Sequence, residues 1–430
     1  MATGSQLHRK LTSFGVLLLT LSCLSPVFSI YGVGADVLLR AGTGAASMFI
    51  CGIGVAVVWA VVYAELGSAY PYAGGDYVGV GSILGPWAGI ASLTVWAVTV
   101  GPTVAFLAKT IATYAGDLSP AVSQVSVTFG ALGAAMVFAL LAVRASAFVK
   151  AVLVLTGAGL WHPVRSLAEV VLHPVTLGAA GSIGPVAIGA MALAGVSAAY
   201  ATTGGNQAIA FGEELIEPHR HMGHVILLAG LIGAFVTAVP VIAVVISAGD
   251  LRSLLSSPAP FSAFVASVAG PAAGHALSAG VILAIFNALI AQIMFSARLF
   301  FSFGRDQLFH PTVNATLSRV HHPSGAPRAA TWVVGVVSAA CCLLDTHVLV
   351  GRSRQLTGQR GYWRSMLFPL APILGLILAL AFGVADVLDA DAGRPSILIL
   401  GAMIVAGLLW HHFVLSRRAG GWAPRCEAIE

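Results

Sequence analysis

The segment Ser22-Cys23-Leu24-Ser25-Pro26 interrupts the first apolar run of the chain, which extends over residues 12–31. A second interruption, Ala201-Thr202-Thr203-Gly204-Gly205-Asn206, falls inside the apolar run 183–212. Proline removes a backbone donor and clashes with the preceding helical turn, and paired glycines favour unwinding. Neither run is therefore expected to form a continuous helix. Irregular backbone at membrane depth is tolerated where it lines a cavity or is buried in protein.

Each interruption alone also has a plain structural explanation. Pro26 would produce a simple kink, and Gly204-Gly205 would allow a close packing contact. The two interruptions, however, lie one half-chain apart, and each falls in the span that opens its half. A matched pair of broken spans is typical of carriers built from inverted repeats, with the binding site at the breaks.

Composition places the chain in a membrane. Of the 430 residues, 58% are hydrophobic and 9% are charged, whereas soluble domains carry roughly 25% charged residues. These values exclude a soluble enzyme and a disordered chain. The net charge of +5 comes from eighteen arginines and three lysines, and most of them flank apolar runs. This pattern indicates orientation in a membrane rather than nucleic-acid binding.

Eleven apolar runs are candidates for membrane-spanning helices, which need about 20 residues. They cover residues 12–31, 44–64, 86–115, 124–143, 148–161, 183–212, 223–248, 272–301, 329–350, 366–385 and 396–415. The basic start of the first run would also suit a signal peptide, but a further span follows it, so an uncleaved first helix is favoured. We predict an all-α, multi-pass membrane protein.

Three motifs resemble those of the amino acid–polyamine–organocation (APC) permeases. The first covers residues 64–77 and 84–86 (AELGSAYPYAGGDY and LGP), the second 211–220 (FGEELIEPHR), and the third 296–300 with 305–311 (SARLF and RDQLFHP). They occur in the family's order over roughly residues 10–330.

The resemblance implies a fold of five-plus-five inverted helices in which helices 1 and 6 are unwound at the substrate. The expected parts are a cytoplasmic N-terminus (1–11), a first repeat (12–161), a second repeat (183–351), C-terminal helices (366–415) and a tail (416–430). The resemblance also implies that the substrates are amino acids or related amines and that transport occurs by alternating access.

The substrate is expected to bind between the two breaks. Half-helix N-termini suit a substrate carboxylate, and carbonyl ends suit an ammonium group. The expected lining residues, carried over by motif position, are Ser22, Ser25, Pro26, Ser29, Ile30, Tyr200, Ala201, Thr202, Thr203 and Gly204, with Trp96, Thr99 and Asn287 for the side-chain subsite. Because no Asp or Glu falls near the middle of these spans, a neutral amino acid is favoured over a polyamine.

A cluster of opposite charges is predicted at the cytoplasmic ends of the helices, where it would hold the inward gate or form ordinary solvated helix ends. Its members are Glu65, Glu213, Glu214, Arg220, Arg298 and Arg305. Some proton-coupled relatives use a lysine on the fifth helix, and Lys150 is the lysine found there. Because it lies at the start of that span, an interfacial role of Lys150 is favoured over a coupling role. Coupling to a proton, exchange and facilitated uptake all remain open.

The C-terminal third departs from the family's twelve spans by about one helix. Three explanations are considered: an eleven-helix carrier, a segment 329–350 that does not span, or a shortened chain with impaired transport. A non-transporting amino acid sensor is the alternative function, because it would keep the pocket without turnover.

We expect no catalytic residue, metal or cofactor, and no nucleic-acid partner. The expected partners are a small-molecule substrate, membrane lipid and, in one option, a co-transported proton. Abundant Ala, Gly and Arg with little Lys is typical of a GC-rich bacterium, so a multi-pass protein of the bacterial inner (plasma) membrane is expected.

Overall fold

A computed structural model describes residues 9, 11–140, 164–177, 183–320, 327–343, 393–417 and 422–424. Five helical stretches within these residues are long and apolar enough to cross a membrane: Ser13–Ala69, Pro86–Leu118, Pro218–Ser247, Pro271–Arg305 and Ile397–Leu415. The predicted helical membrane fold is therefore confirmed. The predicted spans 148–161 and 366–385, and the end of 329–350, lie outside the described residues, and the number of spans stays a prediction.

The helices begin and end as follows: α1 Ser13–Leu24, α2 Pro26–Phe28, α3 Ala35–Ala41, α4 Ala45–Ala69, α5 Asp76–Leu84, α6 Pro86–Leu118, α7 Gln124–Leu140, α8 Leu167–Leu172, α9 Ile188–Thr202, α10 Pro218–Ser247, α11 Leu251–Ser256, α12 Pro260–Ala269, α13 Pro271–Arg305, α14 Pro311–Leu317, α15 Arg328–Cys342 and α16 Gly393–Trp410. A π-helix (Ser29–Gly34), a second π-helix (His411–Leu415) and 3₁₀ helices (Gly42–Gly44 and Gly205–Glu214) complete the helical elements.

Glycine-proline pairs set the starts of the two longest helices. Gly85 has φ +95° and precedes Pro86 of α6, and Gly270 has φ +89° and precedes Pro271 of α13. Proline suits the first helical position because its missing N–H would have no partner there, and glycine adopts a positive φ without strain. Both helices therefore begin at a sharp change of chain direction.

The helices pack in two groups. The first group contains α1, α4, α9 and α10, with α4 packed between α9 and α10. The second group contains α6, α7, α13 and α15, with α16 also packed on α6. Small residues permit the close approach in the first group, since a Cβ at Gly223 would lie 3.1 Å from the carbonyl of Ala64 and one at Gly52 would lie 3.1 Å from that of Ala198.

A short β-hairpin adds a local exception to the all-α expectation. Strand β1 (Val175–Leu177) pairs antiparallel with β2 (Ile183–Pro185), with Thr176 opposite Gly184. The hydroxyl of Thr43, in the 3₁₀ helix that follows α3, accepts a hydrogen bond of 2.8 Å from the Val175 amide. Because β2 occupies residues 183–185, the predicted span 183–212 begins as helix only at Ile188.

Candidate functional site

The first break lies at Ser25. Helix α1 ends at Leu24, and Ser25 has a left-handed conformation (φ 47°, ψ 78°) that is uncommon for a residue with a side chain. Its Oγ accepts a hydrogen bond of 3.3 Å from the Phe28 amide, so Ser25 also caps the next helical piece. The chain then continues as the π-helix Ser29–Gly34. Such π turns occur frequently at functional sites.

The second break lies at Thr203 and Gly204. Helix α9 ends at Thr202, Thr203 is extended, and Gly204 has φ +148°. A 3₁₀ helix then covers Gly205–Glu214. Runs of 3₁₀ helix longer than three or four residues are uncommon and mark hinges or strained sequence. We call residues 205–214 the hinge segment.

The two breaks are in direct contact. A Cβ added at Gly204 would lie 3.2 Å from Cγ of Leu24, the last residue of α1. On its other side, α1 approaches α13, where the Cys23 thiol donates to the Ala291 carbonyl at 3.5 Å. The tertiary structure therefore joins two interruptions that lie about 180 residues apart in the sequence.

Most of the predicted lining residues are buried at these breaks. The buried ones are Ser25, Pro26, Ser29, Ile30, Ala201, Thr202 and Gly204, whereas Ser22 and Thr203 are partly exposed and Tyr200 is 40% exposed. The Thr202 hydroxyl lies 2.9 Å from the Gly52 carbonyl of α4 and 3.0 Å from the Ala198 carbonyl of its own helix. The contact with Gly52 joins the end of α9 to α4.

The three residues predicted for the side-chain subsite have different surroundings. Asn287 is buried in α13, and the Thr99 hydroxyl donates to the Val95 carbonyl of its own helix at 3.0 Å. The Trp96 indole packs edge-on against Phe295, with ring centroids 5.5 Å apart, and its N–H is bonded to a carboxylate outside the predicted set.

That carboxylate belongs to Asp76, which lies in the first motif and is not among the predicted site residues. Gly75, with φ +67°, precedes α5, and Asp76 is the first residue of this helix. Asp76 is 4% exposed. Its Oδ2 accepts hydrogen bonds from Trp96 Nε1 (3.1 Å), Tyr63 Oη (3.3 Å) and Asn206 Nδ2 (3.4 Å).

Burial raises the pKa of the Asp76 carboxyl to about 7, although the bonds from Trp96, Tyr63 and Asn206 each lower it. Asn206 lies at the start of the hinge segment, so this carboxyl contacts the second break. The sequence did carry one signal, because Asp76 is the one acidic residue between Glu65 and Asp117.

Two buried ion pairs hold the opposite end of the hinge segment. Arg298 Nε lies 2.6 Å from Glu214 Oε1, and Arg305 Nη1 lies 2.7 Å from Glu213 Oε1. All four side chains are at most 15% exposed. We call these four residues the ion-pair cluster. It joins the hinge segment to α13.

Further contacts extend the ion-pair cluster to neighbouring loops. Glu213 Oε1 also accepts a hydrogen bond of 2.9 Å from the Ala73 amide. Leu11 forms a parallel β-bridge with Leu215, in which its amide donates to the Glu214 carbonyl and its carbonyl accepts from the Ile216 amide. The start of the chain is thereby attached to the end of the hinge segment.

Of the predicted charges, Arg220 lies apart from this cluster. It forms an exposed pair with Glu217 at 3.4 Å. Glu65 lies near the end of α4, where its carbonyl accepts a hydrogen bond from Ser68. Lys150, the predicted coupling residue, lies outside the described residues.

A family model and two solved structures are similar to this chain. The family model described as "Amino acid permease" matches residues 11–412. The crystal structure of MhsT in complex with L-phenylalanine is 15% identical, with coverage of 95% of this chain and 100% of that one and a TM-score of 0.47. No curated protein sequence matches significantly.

A mutant of the manganese transporter of Eremococcus coleocola is 11% identical, with coverage of 93% of this chain and 92% of that one and a TM-score of 0.50. This likeness supports a common fold. With a permease family model over nearly its whole length, two touching helix breaks and several apolar helices long enough to cross a bilayer, the chain belongs to the amino acid permease family and is a multi-pass membrane transporter.

Proposed function

We propose that this protein carries neutral amino acids across the plasma membrane by alternating access, with the substrate held between the two breaks. The observation that carries the proposal is the contact between Leu24 and Gly204, which places the end of α1 and the start of the hinge segment side by side. Helix ends expose backbone amides and carbonyls that suit the carboxylate and ammonium groups of an amino acid.

The uncharged breaks favour a neutral substrate. Residues 22–34 and 200–206 contain no charged side chain. Phe28, just after the first break, stacks edge-on with Phe106 of α6 at 5.1 Å between ring centroids. A substrate side chain near this pair would meet an apolar surface, so a charged side chain would lose hydration without gaining a partner.

We propose further that the ion-pair cluster is the gate on the cytoplasmic side. The ion-pair cluster joins the hinge segment to α13 of the second group. Opening of the gate would therefore separate opposite charges that are buried. Arg220 lies in the first turn of α10, and Arg298 and Arg305 lie in the last turns of α13, which agrees with the positive-inside bias for a cytoplasmic side. The proposed location is the inner membrane of a bacterium, in contact with lipid.

Counterflow in proteoliposomes tests the function without knowledge of the coupling ion. Vesicles are preloaded with each of the twenty amino acids or a polyamine, and uptake of the same labelled compound is followed. We expect uptake with one or more neutral amino acids and none with polyamines. Uptake only with polyamines or cationic amino acids would refute the proposed substrate class.

Thermal unfolding separates a carrier from a sensor. If folded protein gives no counterflow, yet an amino acid from the same panel raises its melting temperature, binding without turnover favours the sensor. A carrier shows both responses for the same amino acid. No response to any compound in either assay would contradict the proposal.

A further inference from the structure

Asp76 is a buried carboxyl that the proposed transport function does not yet use. Four elements meet around it: α5, which carries it, α4 with Tyr63, α6 with Trp96, and the hinge segment with Asn206. All three bonds end on one oxygen, Oδ2, and all three donors are neutral. The Asp76 side chain therefore links both helix groups to the second break.

No cation compensates the carboxyl within the part of the chain that the structure describes. The ion pairs found there involve other acids, and Arg298 and Arg305 are paired with Glu214 and Glu213. Of the three side chains that face Asp76 from packed elements, Tyr63 is titratable. The other two, the Trp96 indole of α6 and the Asn206 amide of the hinge segment, are not. An uncompensated buried carboxylate tends to bind a proton.

A proton is the cation that fits this site. Asp76 is 4% exposed, and the donors on Oδ2 come from three elements packed around it. A metal ion or a substrate amine would need space and further ligands beside this buried carboxyl, whereas a proton adds to a carboxylate oxygen and leaves the packing unchanged.

We propose that Asp76 is a proton-binding site of this transporter, and that its protonation releases Asn206 and thereby loosens the hinge segment. This role rests on the transport function proposed above. In this step one O–H bond of a hydronium ion breaks as the O–H bond of the carboxyl forms, and a water molecule is left. The reverse step returns the proton to water.

Asn206 is the contact expected to be lost first. A neutral carboxyl accepts hydrogen bonds less strongly than a carboxylate. The Asn206 bond is the longest of the three, at 3.4 Å, and it is the one that reaches the hinge segment. The remaining bonds from Tyr63 and Trp96 would still hold Asp76 in place.

The test uses purified protein in lipid and needs no substrate. Infrared difference spectroscopy between pH 5.5 and 8.5 follows the carbonyl stretch of a protonated carboxyl, and hydrogen exchange with mass spectrometry follows residues 205–214 after correction for intrinsic rates. The variants are Asp76→Asn, Trp96→Phe and, as a matched control, Asp36→Asn, since Asp36 is a partly exposed acid paired with Arg40.

We expect a carbonyl signal that titrates near neutral pH, disappears in Asp76→Asn and is unchanged in Asp36→Asn. In Trp96→Phe the midpoint should move to higher pH, because a donor to the ionised form is gone. Exchange in residues 205–214 should be several-fold faster at pH 5.5 than at 8.5 in the wild type. In Asp76→Asn it should be fast at both pH values.

Two results would overturn the proton site: a carboxyl that is still ionised at pH 5.5, or corrected exchange in residues 205–214 that is equal at both pH values. Either result combined with positive counterflow would leave the transport proposal standing. If titration and exchange are as expected but counterflow is negative, the amino acid transport proposal fails and the proton site stands. With a substrate in hand, a pH gradient should drive its accumulation by the wild type and not by Asp76→Asn.

Discussion

Gly204 holds a backbone conformation that would strain any residue with a side chain, and it does so where it touches the first break. Its φ is +148°, and Leu24 lies within contact distance of the space that a Cβ would fill. Asp76 likewise acquires its properties from surroundings that come from three other elements. In both cases the residue type was visible in the sequence, and its importance depends on which atoms lie next to it.

Replacing Gly204 by alanine should abolish counterflow and cost about 1–3 kcal/mol of stability, because both the backbone and the contact with Leu24 are strained. The matched control is Gly54→Ala in α4, where a Cβ would meet nothing within 4 Å. That variant should transport normally and be slightly more stable, since alanine is the better helix former. Equal transport by the two variants would show that the second break tolerates a side chain.

Asp76 should make the stability of the protein depend on pH. Its carboxyl has a pKa of about 7 in the folded protein and about 3.8 when unfolded, so the folded state binds more protons between these values. Stability should therefore fall as pH rises from about 4 to about 7. Melting temperatures of wild type and Asp76→Asn from pH 4 to 8.5 measure this, and the variant should lack that part of the decline. Parallel curves would contradict the prediction.

At the scale of elements, the hinge segment joins the second break to the ion-pair cluster. It starts at the second break, where Asn206 contacts Asp76, and it ends in the ion-pair cluster with Glu213 and Glu214. The sequence indicated an interruption near Gly204-Gly205, yet it did not predict ten residues of 3₁₀ helix, because that geometry depends on packing against α10 and the loop after α4. A Cβ at Gly205, for example, would clash with the Ile226 carbonyl at 2.6 Å.

Breaking a buried ion pair of the ion-pair cluster should cost more stability than breaking an exposed ion pair. Glu214→Gln leaves the Arg298 guanidinium buried without its counter-charge, and loss of one partner in such a pair typically costs about 3 kcal/mol or more. Glu217→Gln, the control, removes a pair whose side chains are 59% and 78% exposed, and should cost less than about 1 kcal/mol. Chemical unfolding measures both. If the two losses are equal, the cluster contributes no more than a surface pair.

At the scale of the whole molecule, Leu11 lies at the same end as the ion-pair cluster. Leu11 is bridged to Leu215, the residue after Glu214, and the alternating access proposed above would require this end to open. The hinge segment packs on α1, α4 and α10 of the first group and on α13 of the second group. Rocking of one group against the other would separate these contacts together.

A reversible cross-link tests this movement. Bridged strand positions lie about 5 Å apart, within the range of a disulfide. The double variant Leu11→Cys/Leu215→Cys should therefore lose counterflow on oxidation and regain it on reduction. Each single variant is a control for the native cysteines and should be insensitive to oxidation. Full counterflow by the cross-linked protein would show that this end need not open.

The sequence by itself determined the membrane location, the helical fold and the two breaks. These follow from local properties: a high apolar content, Pro26 with its missing donor, and the paired glycines at 204 and 205. The three motifs and their order also indicated the permease family, because a motif is defined by residues that are close together in the chain. Such features need no knowledge of which residues become neighbours in space.

Only the tertiary structure decided that Leu24 contacts Gly204. It also decided that Arg298 pairs with Glu214 and Arg305 with Glu213, and that Arg220 lies outside the ion-pair cluster. The clearest case is Asp76, which reads as a helix start in the sequence. In the structure this carboxyl is buried, and its hydrogen-bond partners lie up to 130 residues away in the sequence, at Tyr63, Trp96 and Asn206. Desolvation and hydrogen bonding depend on atoms adjacent in space, and helix packing alone brings those atoms together.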